Sequence, residues 1–163
     1  MAREALKDVP AEVAQKARAF FLSSFTKEGF TDISFIPWVK RMHCARHKIL
    51  FQSYALKNSI SIETASLKKI EISAGEGVPY ATLHNEGGTV TVRVTKRSRR
   101  FFWYKYKQTG DTKWKALALT KKHQLSSRIP KRQFIGESHA LIEKVEQIML
   151  QNIEKAVKNL KHK

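Results

Sequence analysis

From Leu141 to Leu160 apolar side chains recur every three or four positions: Leu141, Val145, Ile148, Met149, Ile153, Ala156, Val157 and Leu160, with Asn152 among them. A 3.6-residue repeat held this long fits a helix with one apolar stripe and no other regular structure. Ser138 stands where an N-cap hydroxyl is wanted, and Gly136 allows a sharp turn just before it. Lys161–His162–Lys163 adds positive charge at the end where a helix favours it. A second helix is expected at the other end of the chain, from about Pro10 to Glu28. There Val13, Ala17, Phe20, Phe21 and Phe25 share one face, Asp8 is placed to cap, Pro10 suits the first turn and Gly29 is the expected stop.

Between these helices the period changes to two. Val90, Val92 and Val94 alternate with Thr91, Arg93 and Thr95, the clearest strand in the sequence. Ser59–Glu63 and Lys69–Ser73 also alternate, and the five residues between them suit a hairpin. Long helices flanking antiparallel strands make the chain α+β: a small, mostly antiparallel sheet packed against the N- and C-terminal helices. At 163 residues one domain, 1–163, is expected.

The remaining stretches read less plainly. Phe30–Trp38 suggests a loop with Trp38 as a core plug, and Val39–Ser53 a helix, with Met42, Arg46 and Ile49–Leu50 three or four apart. Tyr80–Glu86 suits one or two helical turns ended by Gly87–Gly88. Ser98–Lys107 suggests a short helix capped by Thr95 or Ser98, Gln108–Asp111 a turn, and Trp114, Leu117 and Ala118 another short helix. His123–Arg128 reads as a polar connection. Pro130 should hold Ile129 extended.

Charge is the informative bulk property. The formal net charge is +17, from 31 basic and 14 acidic residues. It is unevenly placed, because Arg93–Arg132 holds 14 of the basic residues and one acid, Asp111. A basic insertion at about 96–128 is therefore expected. Arg97, Arg99, Arg100, Lys105 and Lys107 interleave there with Phe101, Phe102, Trp103 and Tyr106. Such a field draws nucleic acid, an acidic protein surface or anionic lipid: cations track phosphate, and exposed aromatics stack on bases. Aromatics buried in a core or subunit interface are the competing reading.

Catalytic constellations are absent. His43, Cys44 and His47 fall within one helical turn, but no further Cys or clustered carboxylate completes a metal site. His84 and Glu86 have no paired carboxylate or nucleophile nearby in sequence. No Gly-x-Ser-x-Gly motif occurs, and Gly75–Glu76–Gly77 is too short to cradle phosphate. Neither enzymatic activity nor a cofactor or metal is expected. Cys44, the single cysteine, has no intrachain disulfide partner. Without an apolar leader or a membrane-length apolar run, a soluble cytoplasmic protein is expected.

Three segments carry a family resemblance. Tyr80–Ala81–Thr82–Leu83–His84–Asn85–Glu86–Gly87–Gly88 has the form Tyr-Ala-x-x-His-x-x-Gly-Gly. Ile129–Pro130–Lys131–Arg132–Gln133–Phe134–Ile135–Gly136–Glu137–Ser138 has the form Ile-Pro-x-Arg-x-Phe-x-Gly-x-Ser. Ile49–Leu50–Phe51–Gln52–Ser53, followed by Leu56–Lys57–Asn58–Ser59–Ile60, supplies the third. In their order along the chain, 49–60, 80–88 and 129–138, they resemble the phage virion morphogenesis proteins of the Mu type, the tail-completion and head–tail joining family. The resemblance implies a connector-like α+β fold in which Tyr80, His84, Gly87, Gly88, Pro130, Arg132, Phe134 and Gly136 are structural motif residues. His84 is then a half-buried, hydrogen-bonded histidine beside Tyr80. It further implies a structural phage or prophage protein that self-associates, a ring being one such assembly, and docks to other tail or head–tail proteins. Assembly would begin in the cytoplasm and end in the virion. Nonspecific DNA binding through the basic–aromatic stretch is the alternative, and a connector beside the DNA exit path could do both.

Overall fold

The computed structural model describes residues 7–41 and 47–161. Among them are α1 (Val9–Lys27), β1 (Gly29–Thr31), β2 (Phe35–Pro37), α2 (Ala55–Asn58), β3 (Ser61–Ala65), β4 (Ile70–Ser73), α3 (Ala81–Glu86), β5 (Gly88–Arg93), α4 (Lys96–Thr109), α5 (Thr112–Leu119), β6 (Gln124–Ile129) and α6 (His139–Lys161). The fold is α+β, and all strand pairing in it is antiparallel. The strands do not join into the single expected sheet. They form three separate two-stranded sheets, β1–β2, β3–β4 and β5–β6. The chain divides into two compact units, one of residues 1–87 with 130–163 and one of residues 88–129.

The first unit holds the aromatic core. Phe20, Phe21 and Phe25 of α1 cluster with Phe30, Trp38, Ile49, Leu56, Ile60, Val78, Ala81 and Phe134. Phe25 lies edge-on to Trp38 at 5.6 Å and tilted against Phe134 at 5.3 Å. Helix α1 presents the face its spacing dictates, with Val13, Ala17, Phe20, Phe21 and Phe25 all buried. Its ends differ from expectation. The Asp8 side chain makes no cap hydrogen bond, and the left-handed turn after the helix falls on Glu28, at φ 54°, rather than on Gly29. Gly29 begins β1 instead, where a Cβ would come within 2.6 Å of the Ile36 carbonyl oxygen. Phe30–Trp38 is thus a hairpin and not a loop. Trp38 is the core plug its size suggested, and its indole N–H donates to the Gln133 carbonyl at 2.7 Å.

Nor does 47–53 continue a helix; residues 42–46 of the expected Val39–Ser53 helix lie outside those described. Leu50 and Tyr54 take φ of 60° and 56°, which a right-handed helix cannot include. Helix α6 is anchored at its start. The Leu141 amide donates to Ser138 Oγ at 3.2 Å, and the Ser138 hydroxyl donates to the Thr31 carbonyl at 2.8 Å. Asp32, in the β1–β2 turn, accepts from the His139 amide and from its ring at 2.9 Å each. Along α6 the apolar residues divide into two stripes. Leu141, Val145, Ile148 and Ala156 are half-buried, and Asn152 among them donates to Glu12 of α1 at 3.1 Å. Met149, Ile153 and Val157 are 46%, 46% and 45% exposed.

The second unit is a β-ribbon that leads into a helical hairpin. β5 and β6 pair residue for residue from Gly88↔Ile129 to Arg93↔Gln124. The polar connection expected at His123–Arg128 is therefore mostly strand. Thr95 and Ser98 cap α4 together: the Ser98 amide donates to Thr95 Oγ1, and the Ser98 hydroxyl accepts from the Thr95 amide. Gly110, at φ 68°, ends α4, and Asp111 accepts from the Lys113 amide to start α5. Ala118 is the one residue of this unit classed as buried.

Candidate functional site

The two longest family-like motifs meet in the first unit. The Arg132 amide donates to the His84 carbonyl at 2.7 Å. Asn85 Oδ1 accepts from the amides of Phe134 and Ile135 at 3.0 and 3.2 Å. The Arg132 guanidinium donates through Nε and Nη2 to the Val39 carbonyl at 3.3 and 3.1 Å. Phe134, just beyond, is 1% exposed in the core. Helix α3 and the extended run after Pro130 are thus clasped, once backbone to backbone and twice through the Asn85 side chain. Asn85, which occupies an unspecified position of the motif, had no sequence signal.

Tyr80 and His84 stack edge to face at 5.7 Å, as their i, i+4 spacing on α3 favours. The His84 carbonyl accepts a hydrogen bond, but the ring does not make the expected one at Nδ1, which is buried without a partner among the described residues. Burial, and then the nearby Arg132 charge, hold the His84 pKa below the ordinary 6.5. Arg132 is itself pushed below its ordinary value by burial and by Arg41.

The glycines separate in role. Gly87 has φ 75° and ψ 175°, a region open essentially to glycine alone. Gly88 is absent from the positive-φ residues and pairs with Ile129 as the first residue of β5. Gly136 has φ 143°.

Beside the clasp lies a cavity of about 710 Å³, lined by Arg41, Arg132, His47 and His84 together with Leu56 and Tyr80. Of the His43, Cys44 and His47 set, only His47 is among the described residues. Among those no group of three His, Cys, Asp or Glu side chains could hold a metal ion.

In the second unit the five candidate cations are not equivalent. Arg97, Arg100 and Lys107 are exposed. Arg99 is half-buried, and its Nη1 donates to the Ala118 carbonyl at 2.8 Å, tying α4 to α5. Lys105 is half-buried over the Phe101 ring, 5.8 Å from its centroid. Phe102 stacks on Trp114 at 6.1 Å with 27° between the rings. Phe101, Trp103 and Tyr104 remain exposed. The aromatics thus divide: Phe102 packs on Trp114 within the hairpin, and Phe101, Trp103 and Tyr104 stay exposed.

Comparison of the chain with protein-family models, curated proteins and solved structures finds no match. Among the described residues no helix is long and apolar enough to cross a membrane.

Proposed function

We propose that the chain is a non-catalytic structural protein of a phage or prophage virion, which completes the tail or joins it to the head. It acts by self-association and by docking to other virion proteins. The observation that carries this reading is the exposed stripe on α6. Ile142, Met149, Ile153 and Val157 lie on one face over about four turns and stay 53%, 46%, 46% and 45% exposed. The occupant that fits is α6 of a second copy, running antiparallel. Glu143, Lys144 and Glu146 give the start of the helix a net negative charge, and Glu154, Lys155, Lys158 and Lys161 give its end a net positive one, so antiparallel copies bring opposite net charges together. The resemblance of Tyr80–Gly88 and Ile129–Ser138 to the morphogenesis family supplies the virion context, and their clasp agrees with a scaffold role for those motifs.

Sedimentation velocity of the full chain tests self-association. The wild type should form dimers or larger species, and Met149→Glu with Ile153→Glu should give a monomer that melts within a few degrees of it. A monomeric wild type, or a double variant that still associates, overturns the reading. Tail-tube, terminase or portal genes beside this one would support the virion context.

A second reading, duplex DNA contact, is favoured by one observation: Arg97, Arg100 and Lys107 stay exposed beside the exposed rings of Phe101, Trp103 and Tyr104. Binding across a salt series would decide it. Arg97→Glu, Arg100→Glu and Lys107→Glu together should lower the slope of log affinity against log salt by about 3, near 0.9 per lost phosphate contact. Absence of salt-sensitive binding in the wild type removes DNA from the account.

A further inference from the structure

The cavity beside the clasp is built for an anion. Two guanidiniums, of Arg41 and Arg132, line it together with the imidazoles of His47 and His84. Among the described residues neither guanidinium forms an ion pair, and no carboxylate lines the cavity. Both donate to the chain's own carbonyls. Arg41 donates to His47 and Lys48 at 3.4 and 2.9 Å, and Arg132 donates twice to Val39. Each guanidinium has five N–H groups and uses only part of the fork, so donors remain for a ligand. The cations also disfavour one another, Arg41 acting on Arg132 and Arg132 on His84. A bound negative charge would relieve that repulsion.

Apolar side chains share the lining, among them Ile49, Leu50, Leu56 and the Tyr80 ring, which stacks on His84. Cations and apolar side chains around one cavity, in a volume within the range of organic-ligand pockets, suit a carboxylate attached to an apolar side chain. We propose that this cavity binds the carboxylate of a partner protein's peptide segment, an acidic residue or chain end with an apolar neighbour. The carrier's identity as a docking partner rests on the morphogenesis reading; the carboxylate site does not.

The test uses free small molecules on the full chain: N-acetyl-leucine, its uncharged amide and phenyl phosphate, titrated by calorimetry and followed on the histidine ring resonances. N-acetyl-leucine should bind and shift the His84 ring signals. The amide should bind at least about tenfold more weakly, the scale of one charge-assisted hydrogen bond. Arg41→Gln should weaken the acid by a similar factor, leave the amide unchanged and keep the melting temperature; Arg41→Lys serves as a second variant if Gln fails to fold. Equal binding of acid and amide, no binding of the acid, or tighter binding of phenyl phosphate overturns the proposal. None of these outcomes bears on self-association through α6, which is read in a separate experiment.

Discussion

Gly87 and Gly88 are adjacent and chemically identical, yet substitution should separate them. At Gly87 a side chain meets a backbone region that L residues avoid, so Gly87→Val should cost about 1–3 kcal/mol in urea unfolding. At Gly88 the backbone is strand, its neighbours leave it exposed, and a β-branched residue suits it. Gly88→Val should stay within about 0.5 kcal/mol of the wild type; equal losses at both positions would refute the backbone account. The histidines should separate too. His139 bonds Asp32, which raises its pKa above 6.5, whereas burial lowers that of His84. The charged His139 favours the fold fully below pH 6.5, and that contribution disappears as pH rises through its raised value. The neutral His84 favours the fold above pH 6.5, and that contribution falls away as pH drops through the window beneath. Ring titration by NMR should find His84 below 6.5 and His139 above it; the reverse order would mean the two rings are packed otherwise.

Periodicity decided which elements could be read from sequence. Helices α1 and α6 repeat an apolar face over many turns, and α4 carries its capping pair, Thr95 and Ser98, in plain view. β6 offered nothing comparable, because Gln124, Ser126, Ser127 and Arg128 are polar and the ribbon has no buried face to impose alternation. The turns at Leu50 and Tyr54 were hidden for another reason: apolar spacing carries no mark of a positive φ. The clasp was half legible. The motifs named His84, Arg132 and Phe134, but Asn85 bonds across 49 and 50 positions, a relation no local pattern carries. The cations of α4 show the same limit, since sequence ranks Arg97, Arg99 and Arg100 alike. Arg99 reaches the Ala118 carbonyl in the last turn of α5, where a positive charge is favoured. Arg99→Glu should therefore speed amide hydrogen exchange in α5 severalfold, while Arg97→Glu leaves it unchanged. Matching exchange in the two variants would show that the Arg99 link holds nothing.

For the molecule as a whole, the division of labour can be tested by removal. The aromatic core draws on the first unit alone, and the second unit's ends, Gly88 and Ile129, are cross-strand partners about 5 Å apart. Replacing 88–129 with a short Gly/Ser link should leave a cooperative melt within a few degrees of the full chain. Loss of cooperativity would show that the first unit depends on the second. The removed segment holds 12 of the 31 basic residues and one acid, so the shortened protein should also elute much earlier from a cation-exchange column. The ribbon's unbroken pairing has one further consequence: it works as a ruler with coarse graduations. Each pair adds about 3.4 Å between the ribbon's base and the α4–α5 hairpin, and each pair also turns the strand over. Removing Thr91 with Ser126 alone would exchange the two faces of the ribbon beyond that point. Removing two successive pairs restores them, so the ribbon's length can change in steps of about 7 Å with the alternation of its two faces kept.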